Sequence, residues 1–147
     1  MSGIDIIILI IIAFGLINGL RSGFISELIA LISLFIGVLV SLKFYGLLMP
    51  YLNNEIFSMV GMFIIAYFSS QFILSMIFKP FKIIVGGTVV NKILGAIIGA
   101  LEMTLFISIL AYFVRYNQLY VQFSQKSQVL KQIENITFPI YDGLFKK

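Results

Sequence analysis

Four long apolar stretches, separated by short polar connectors, organise this chain. Residues 4–20 are apolar and carry Asp5, and residues 23–42 hold Glu27. Residues 56–78 contain no charge, with Ser69, Ser70, Gln71 and Ser75 as polar interruptions, and residues 93–114 hold Glu102. Each stretch falls within the roughly 17–25 residues that a helix needs to cross the hydrocarbon core. Their Ile and Phe richness would favour strands in water. In lipid each segment must satisfy its own backbone amides, so runs of this length predict helices. The ten-residue polar/apolar alternation of a membrane barrel is missing.

The connectors differ in character. Arg21-Ser22-Gly23 is so short that the first two runs form either a tight hairpin or one helix broken at membrane depth. Residues 43–55, with Pro50, Asn53 and Asn54, read as an ordinary loop. Lys79-Pro80 should end the third helix. The stretch that follows, Phe81 to Val90, is too apolar for a free loop, so it is expected to lie in the interface or to re-enter.

After Arg115 polar and apolar residues alternate. Val129, Leu130, Ile133 and Ile136 recur at helical spacing, which predicts an amphipathic helix of about three turns ending near Pro139. The sequence thus predicts an all-α fold, an integral membrane bundle of about four transmembrane helices with a short amphipathic C-terminal helix. Residues 1–115 form the membrane domain and 116–147 the tail.

Composition agrees with a bilayer environment. Hydrophobic residues make up 61% and charged residues 11%, and mean hydropathy is +1.10. A soluble domain has about 25% charged residues. Four candidate cations (Lys43, Arg115, Lys126 and Lys131) flank the membrane on one side and four (Arg21, Lys79, Lys82 and Lys92) on the other, so positive charge gives no orientation. The first run occupies the place of a secretion signal. However, Asp5 stands where such a signal carries Lys or Arg, and no small-residue cleavage site follows, which predicts a retained span.

The chain has no Cys and no His. The usual metal ligands, thiolate nucleophiles and near-neutral bases are therefore missing, and no metal, cofactor or catalytic residue is expected. Gly86-Gly87-Thr88 lacks the rest of a phosphate-binding loop. The net charge of +4 is dispersed, which fits lipid headgroups and not nucleic acid.

Two glycine ridges stand out, Gly15, Gly19 and Gly23 in the first and Gly95 with Gly99 in the second. Small residues at this spacing let helix backbones approach closely, either within one chain or between copies. Glu27 extends the first ridge and Glu102 the second. A charged group deep in a bilayer costs at least about 2.5–3.5 kcal/mol, so each carboxylate needs a partner or a wet cavity. Arg21 is the candidate partner of Glu27, with Arg115 or Lys92 near the ends of the fourth run. Arg21, Glu27 and Glu102 form the candidate intramembrane polar site, read either as structural ion pairing or as a transport or proton path. Asp5 reads as an N-terminal charge complementing the helix dipole.

The string Gly15…Gly19…Arg21-Ser22-Gly23-Phe24-Ile25…Glu27-Leu28, the opening Ile4-Asp5-Ile6-Ile7 and the segment Asn91-Lys92-Ile93-Leu94-Gly95-Ala96…Gly99 together resemble the CvpA family of bacterial inner-membrane proteins, named for colicin V production. The similarity covers residues 4 to about 114. Lys92 stands where the family pattern has Arg; it keeps the charge and loses the guanidinium fork. The resemblance implies a multi-pass protein of the bacterial cell inner membrane, linked to bacteriocin production or secretion and to envelope homeostasis.

The first functional expectation is therefore a non-enzymatic membrane protein. Its expected partners are the lipid bilayer, further copies bound through the glycine faces, and secretion or envelope proteins. The alternatives are a small channel or transporter using Arg21, Glu27 and Glu102, and a holin-like pore former.

Overall fold

A computed structural model describes residues 2–85 and 87–145, and among them all regular structure is helical. The four apolar runs appear as α1 (Gly3–Ser22), α2 (Phe24–Phe44), α4 (Glu55–Ile77) and α6 (Val89–Val114). All four are long and apolar enough to cross a membrane. The chain is thus a multi-pass membrane protein with an up-down-up-down bundle.

Local capping sets the helix boundaries. Ser2 and Asp5 form a capping box at the start of α1. A 3-10 turn (Tyr45–Leu47) and the short helix α3 (Met49–Leu52), with Pro50 in its first turn, follow α2. Asn53 closes α3 in the left-handed region at φ 49°, and the Asn54 side chain caps α4 by accepting from Ile56 N and Phe57 N. Thr88 accepts from Asn91 N and starts α6 at Val89, one turn earlier than the apolar run suggests. Pro80 ends α4 as expected. Lys79 and Pro80 then open a short helix, α5 (Lys79–Val85), with Ile83 and Ile84 exposed on its outer face.

The α1–α2 connection is a hairpin whose arms touch only at the elbow. α6 sits in the crook, antiparallel to α1 and parallel to α2, while α4 packs antiparallel along the other flank of α2. Small residues permit both crossings. On one side Gly15 and Gly19 lie on Gly99 and Gly95; on the other, Gly37 receives the Phe63 ring. The apolar core of Leu34, Val38, Phe63, Tyr67, Ile109 and Phe113 fills the half of the bundle away from the elbow.

The tail differs most from the sequence expectation. It contains α7 (Gln118–Lys126), capped by Asn117, and α8 (Gln128–Phe145), which runs through Pro139 instead of ending there. Proline removes one backbone donor from a helix. Contacts on both sides of it keep α8 continuous: Phe138 packs edge-on to Tyr112, and the Tyr141 hydroxyl lies 2.6 Å from Ser108 Oγ. Burial pushes the Tyr141 hydroxyl pKa up. Arg115 pairs with Asp142 at 2.9 Å.

Asp5 explains why α8 starts where it does. Its Oδ1 accepts from Ser127 Oγ at 2.5 Å and Val129 N at 3.0 Å, while Oδ2 accepts from Ser2 N. One buried carboxylate therefore caps two helices, a larger role than complementing the dipole of α1. The tail is docked on the bundle through Leu130, Ile133 and Tyr141.

Candidate intramembrane polar site

The site is built at the elbow. Gly23 adopts φ 81°, a conformation that L side chains rarely reach, and has no side-chain cap to offer α2. Asn91, in the first turn of α6, supplies one from across the bundle: its Oδ1 accepts from Phe24 N at 3.0 Å. A Cβ on Gly23 would run into the same Asn91 side chain. The elbow and the start of α6 are thus locked together.

This lock brings Glu27 and Glu102 face to face, with Glu27 3% and Glu102 2% exposed. The Glu27 Oε1 accepts from Ser22 Oγ and, at 3.3 Å, from Asn18 Nδ2. Its other oxygen lies against Gly99, where a side chain would displace it. Glu102 Oε1 accepts from the Tyr67 hydroxyl at 2.5 Å. Neutral donors thus hold both carboxyls. Among the described residues the ion pair found is Arg115–Asp142, on the opposite side of the membrane.

The expected pairing of Arg21 with Glu27 does not form. Arg21 is exposed and points away from the bundle interior, because residues on the inner face of α1 are set by Gly15 and Gly19, and Asn18 and Ser22 flank that face. Lys92 is exposed too, and Arg115 is held by Asp142. The candidate trio therefore separates: Glu27 and Glu102 come together and Arg21 stays outside. The ridge glycines pack against α1, α6 and the elbow within one chain.

The carboxyl pair lines a polar cavity of about 400 Å³. Asn18 and Ser22 of α1 and Ser26 of α2 form one wall, and Gln71 and Ser75 of α4 the other. Lys82 of α5 stands at the mouth, its Nζ donating to Ser75 Oγ at 3.2 Å. Phe106 closes the far end. Of the polar string in the third run, Gln71 and Ser75 reach the cavity and Ser69 is exposed.

Sequence reasoning missed Tyr67, Asn18, Asn91 and Lys82. Tyr67, Gln71 and Ser75 recur every fourth residue and so share one face of α4, a spacing that the sequence itself carries. Asn91 carries no such signal, since its partner lies in another helix.

The profile of the Colicin V production protein family matches residues 4–137. The chain belongs to this family. No curated protein and no solved structure matches it. The family match runs through α7 into α8, past residue 114 where the recognisable motifs end. The two motif strings of the colicin V production family turn out to be the two sides of one contact: Gly19 meets Gly95, Gly23 meets Asn91, and Glu27 meets Gly99. Gly86, one of the glycine pair noted above, lies outside the described residues.

Proposed function

We propose that this protein supports bacteriocin production or secretion, or envelope homeostasis, in the bacterial cell inner membrane as a non-enzymatic handler of protons or small monovalent cations. The observation that carries this reading is the Glu27–Glu102 pair. Two carboxyls face each other within the membrane-spanning bundle, held by neutral donors on a polar cavity, and among the described residues neither is in an ion pair. Adjacent like charges repel, so a proton or small cation between them completes the arrangement. A scaffold acting through the glycine ridges has less support, because those ridges already lie against one another.

Proteoliposomes containing the purified protein test the reading. Imposed proton or sodium gradients are expected to dissipate faster than in empty vesicles, and Glu27→Gln or Glu102→Gln should slow this several-fold while leaving the protein folded. Silent vesicles with folded wild-type protein would sink the proposal. Complementation of a deletion strain by the same variants, scored for toxin secretion and envelope sensitivity, tests the cellular part.

A further inference from the structure

Along the bundle axis the cavity widens towards the elbow; exposed Asn18 and Phe68 also leave it open sideways between α1 and α4, a gap that faces the hydrocarbon and not water. On one side Ser22, Ser26, Ser75 and Lys82 surround its mouth at the level of the α1–α2 elbow. On the other, Phe106 forms the floor, with its ring 5.5 Å from those of Phe63 and Tyr67, and Phe63 packs in turn on Phe113 at 5.9 Å. Phe63 and Leu34 beneath it are fully buried. An apolar aromatic layer of this kind excludes ions and the water that would carry them.

Lys82 occupies a particular place in this arrangement. In α5 the half-exposed Phe81 ring lies tilted 5.8 Å from that of Phe78, and the next residue lines the cavity. The ammonium is half-buried and bonded to the Ser75 hydroxyl, a neutral acceptor, although two carboxyls line the same cavity. Lysine is a flexible point charge on a four-carbon stem. Its position at the mouth imposes a positive potential on anything that enters, strengthened by the low-dielectric walls.

From this we infer that the cavity is a vestibule reached by water from the elbow side alone, and that Lys82 is its selectivity residue, a tethered counter-ion to Glu27 and Glu102 that lowers the admission of external cations. The inference rests on the reading of the carboxyl pair as a cation-handling site, and it assigns that site a side and a control residue. The ligand class that follows is a small monovalent cation that must compete with the Lys82 ammonium.

The chain contains no Cys, so single-cysteine labelling tests this without any transport measurement. Gln71→Cys is placed in the wall, with Ser26→Cys as a second reporter in case the first disturbs folding. Each is reacted with membrane-impermeant cationic and anionic methanethiosulfonate reagents, applied separately to right-side-out and inverted vesicles. The expected result is labelling from one vesicle orientation only. In addition, Lys82→Met should raise the ratio of cationic to anionic labelling rates several-fold, and Lys82→Arg should leave it near wild type. Labelling from both sides, no labelling of either reporter, or a ratio indifferent to Lys82→Met overturns the inference. Because the readout is chemical access, labelling as expected with silent proteoliposomes would refute cation transport and leave the vestibule standing. Flux without the labelling pattern would do the reverse.

Discussion

Gly19 lies against Gly95 with backbone on backbone: a Cβ on Gly19 would fall 2.6 Å from the Gly95 carbonyl carbon and 2.9 Å from Ala96 Cα. No flexible side chain is available to yield, so an added methyl must push α1 off α6. Overpacking of this kind costs about 1–3 kcal/mol. Gly19→Ala and Gly95→Ala should each lower thermal stability in detergent micelles. Gly61→Ala is the control, since its Cβ would meet only the ends of Leu48 and Leu52 at 3.4 Å or more. Equal melting temperatures for all three variants would contradict this packing.

The elbow yields a second prediction. Asn91 reaches across the bundle to accept the part-buried Phe24 N–H, and losing such a bond costs about 0.5–1.5 kcal/mol. Asn91→Leu should therefore destabilise the protein, while Asn91→Asp, which keeps the acceptor, should lose less. Gly23→Ala should be as damaging as Asn91→Leu or more so, because it combines the unfavourable φ of 81° with a collision on Asn91. Thermal unfolding followed by circular dichroism ranks the three.

Apolar length makes the four spans readable from sequence, because a bilayer imposes a length that no soluble fold demands. The glycine spacing likewise marks which face of α1 and α6 is close-packed. Neighbours are a different matter. A hairpin linker as short as Arg21-Ser22-Gly23 suggests that α1 packs along α2, yet α6 takes that position, because Gly95 and Gly99 offer a closer approach than the side chains of α2. Arg21 shows the same limit: proximity in sequence to Glu27 says nothing of which side of the helix it leaves by. Pro139 reads as a helix end on local grounds, and tertiary contacts from Phe138 and Tyr141 override it.

Asp5 and Ser127 give the third prediction. The carboxylate that caps α1 also receives Ser127 Oγ and Val129 N at the start of α8, so Asp5→Ala should release the tail from the bundle while the four spans persist. Limited proteolysis should then cut near residues 116–128 faster than in wild type. Asp5→Asn, which retains one oxygen acceptor, should fall between. Arg115→Gln should have a smaller effect, because partly exposed ion pairs contribute about 0–1 kcal/mol. Within the tail, the Tyr120–Glu134 bond links α7 to α8. Burial and then the neighbouring carboxylate push the Tyr120 pKa up, so its contribution is present below the ordinary tyrosine range and is lost only at higher, strongly alkaline pH.

The last prediction concerns how Glu102 is held. Tyr67 is the residue that donates to it, at 2.5 Å, from the same α4 face that carries Gln71 and Ser75. Tyr67→Phe keeps the ring contacts with Phe63 and Phe106 and removes only the hydroxyl. A hydrogen bond to a charged group contributes about 1.5–3 kcal/mol, so the variant should be destabilised by an amount in that range, or less where Glu102 carries a proton. A double-mutant cycle with Glu102→Leu, which removes the acceptor, separates the bond from the packing. The two substitutions should be non-additive by about 0.5–3 kcal/mol. Additive effects would mean that Tyr67 acts through the aromatic layer alone, and that Glu102 takes its partner elsewhere in the cavity.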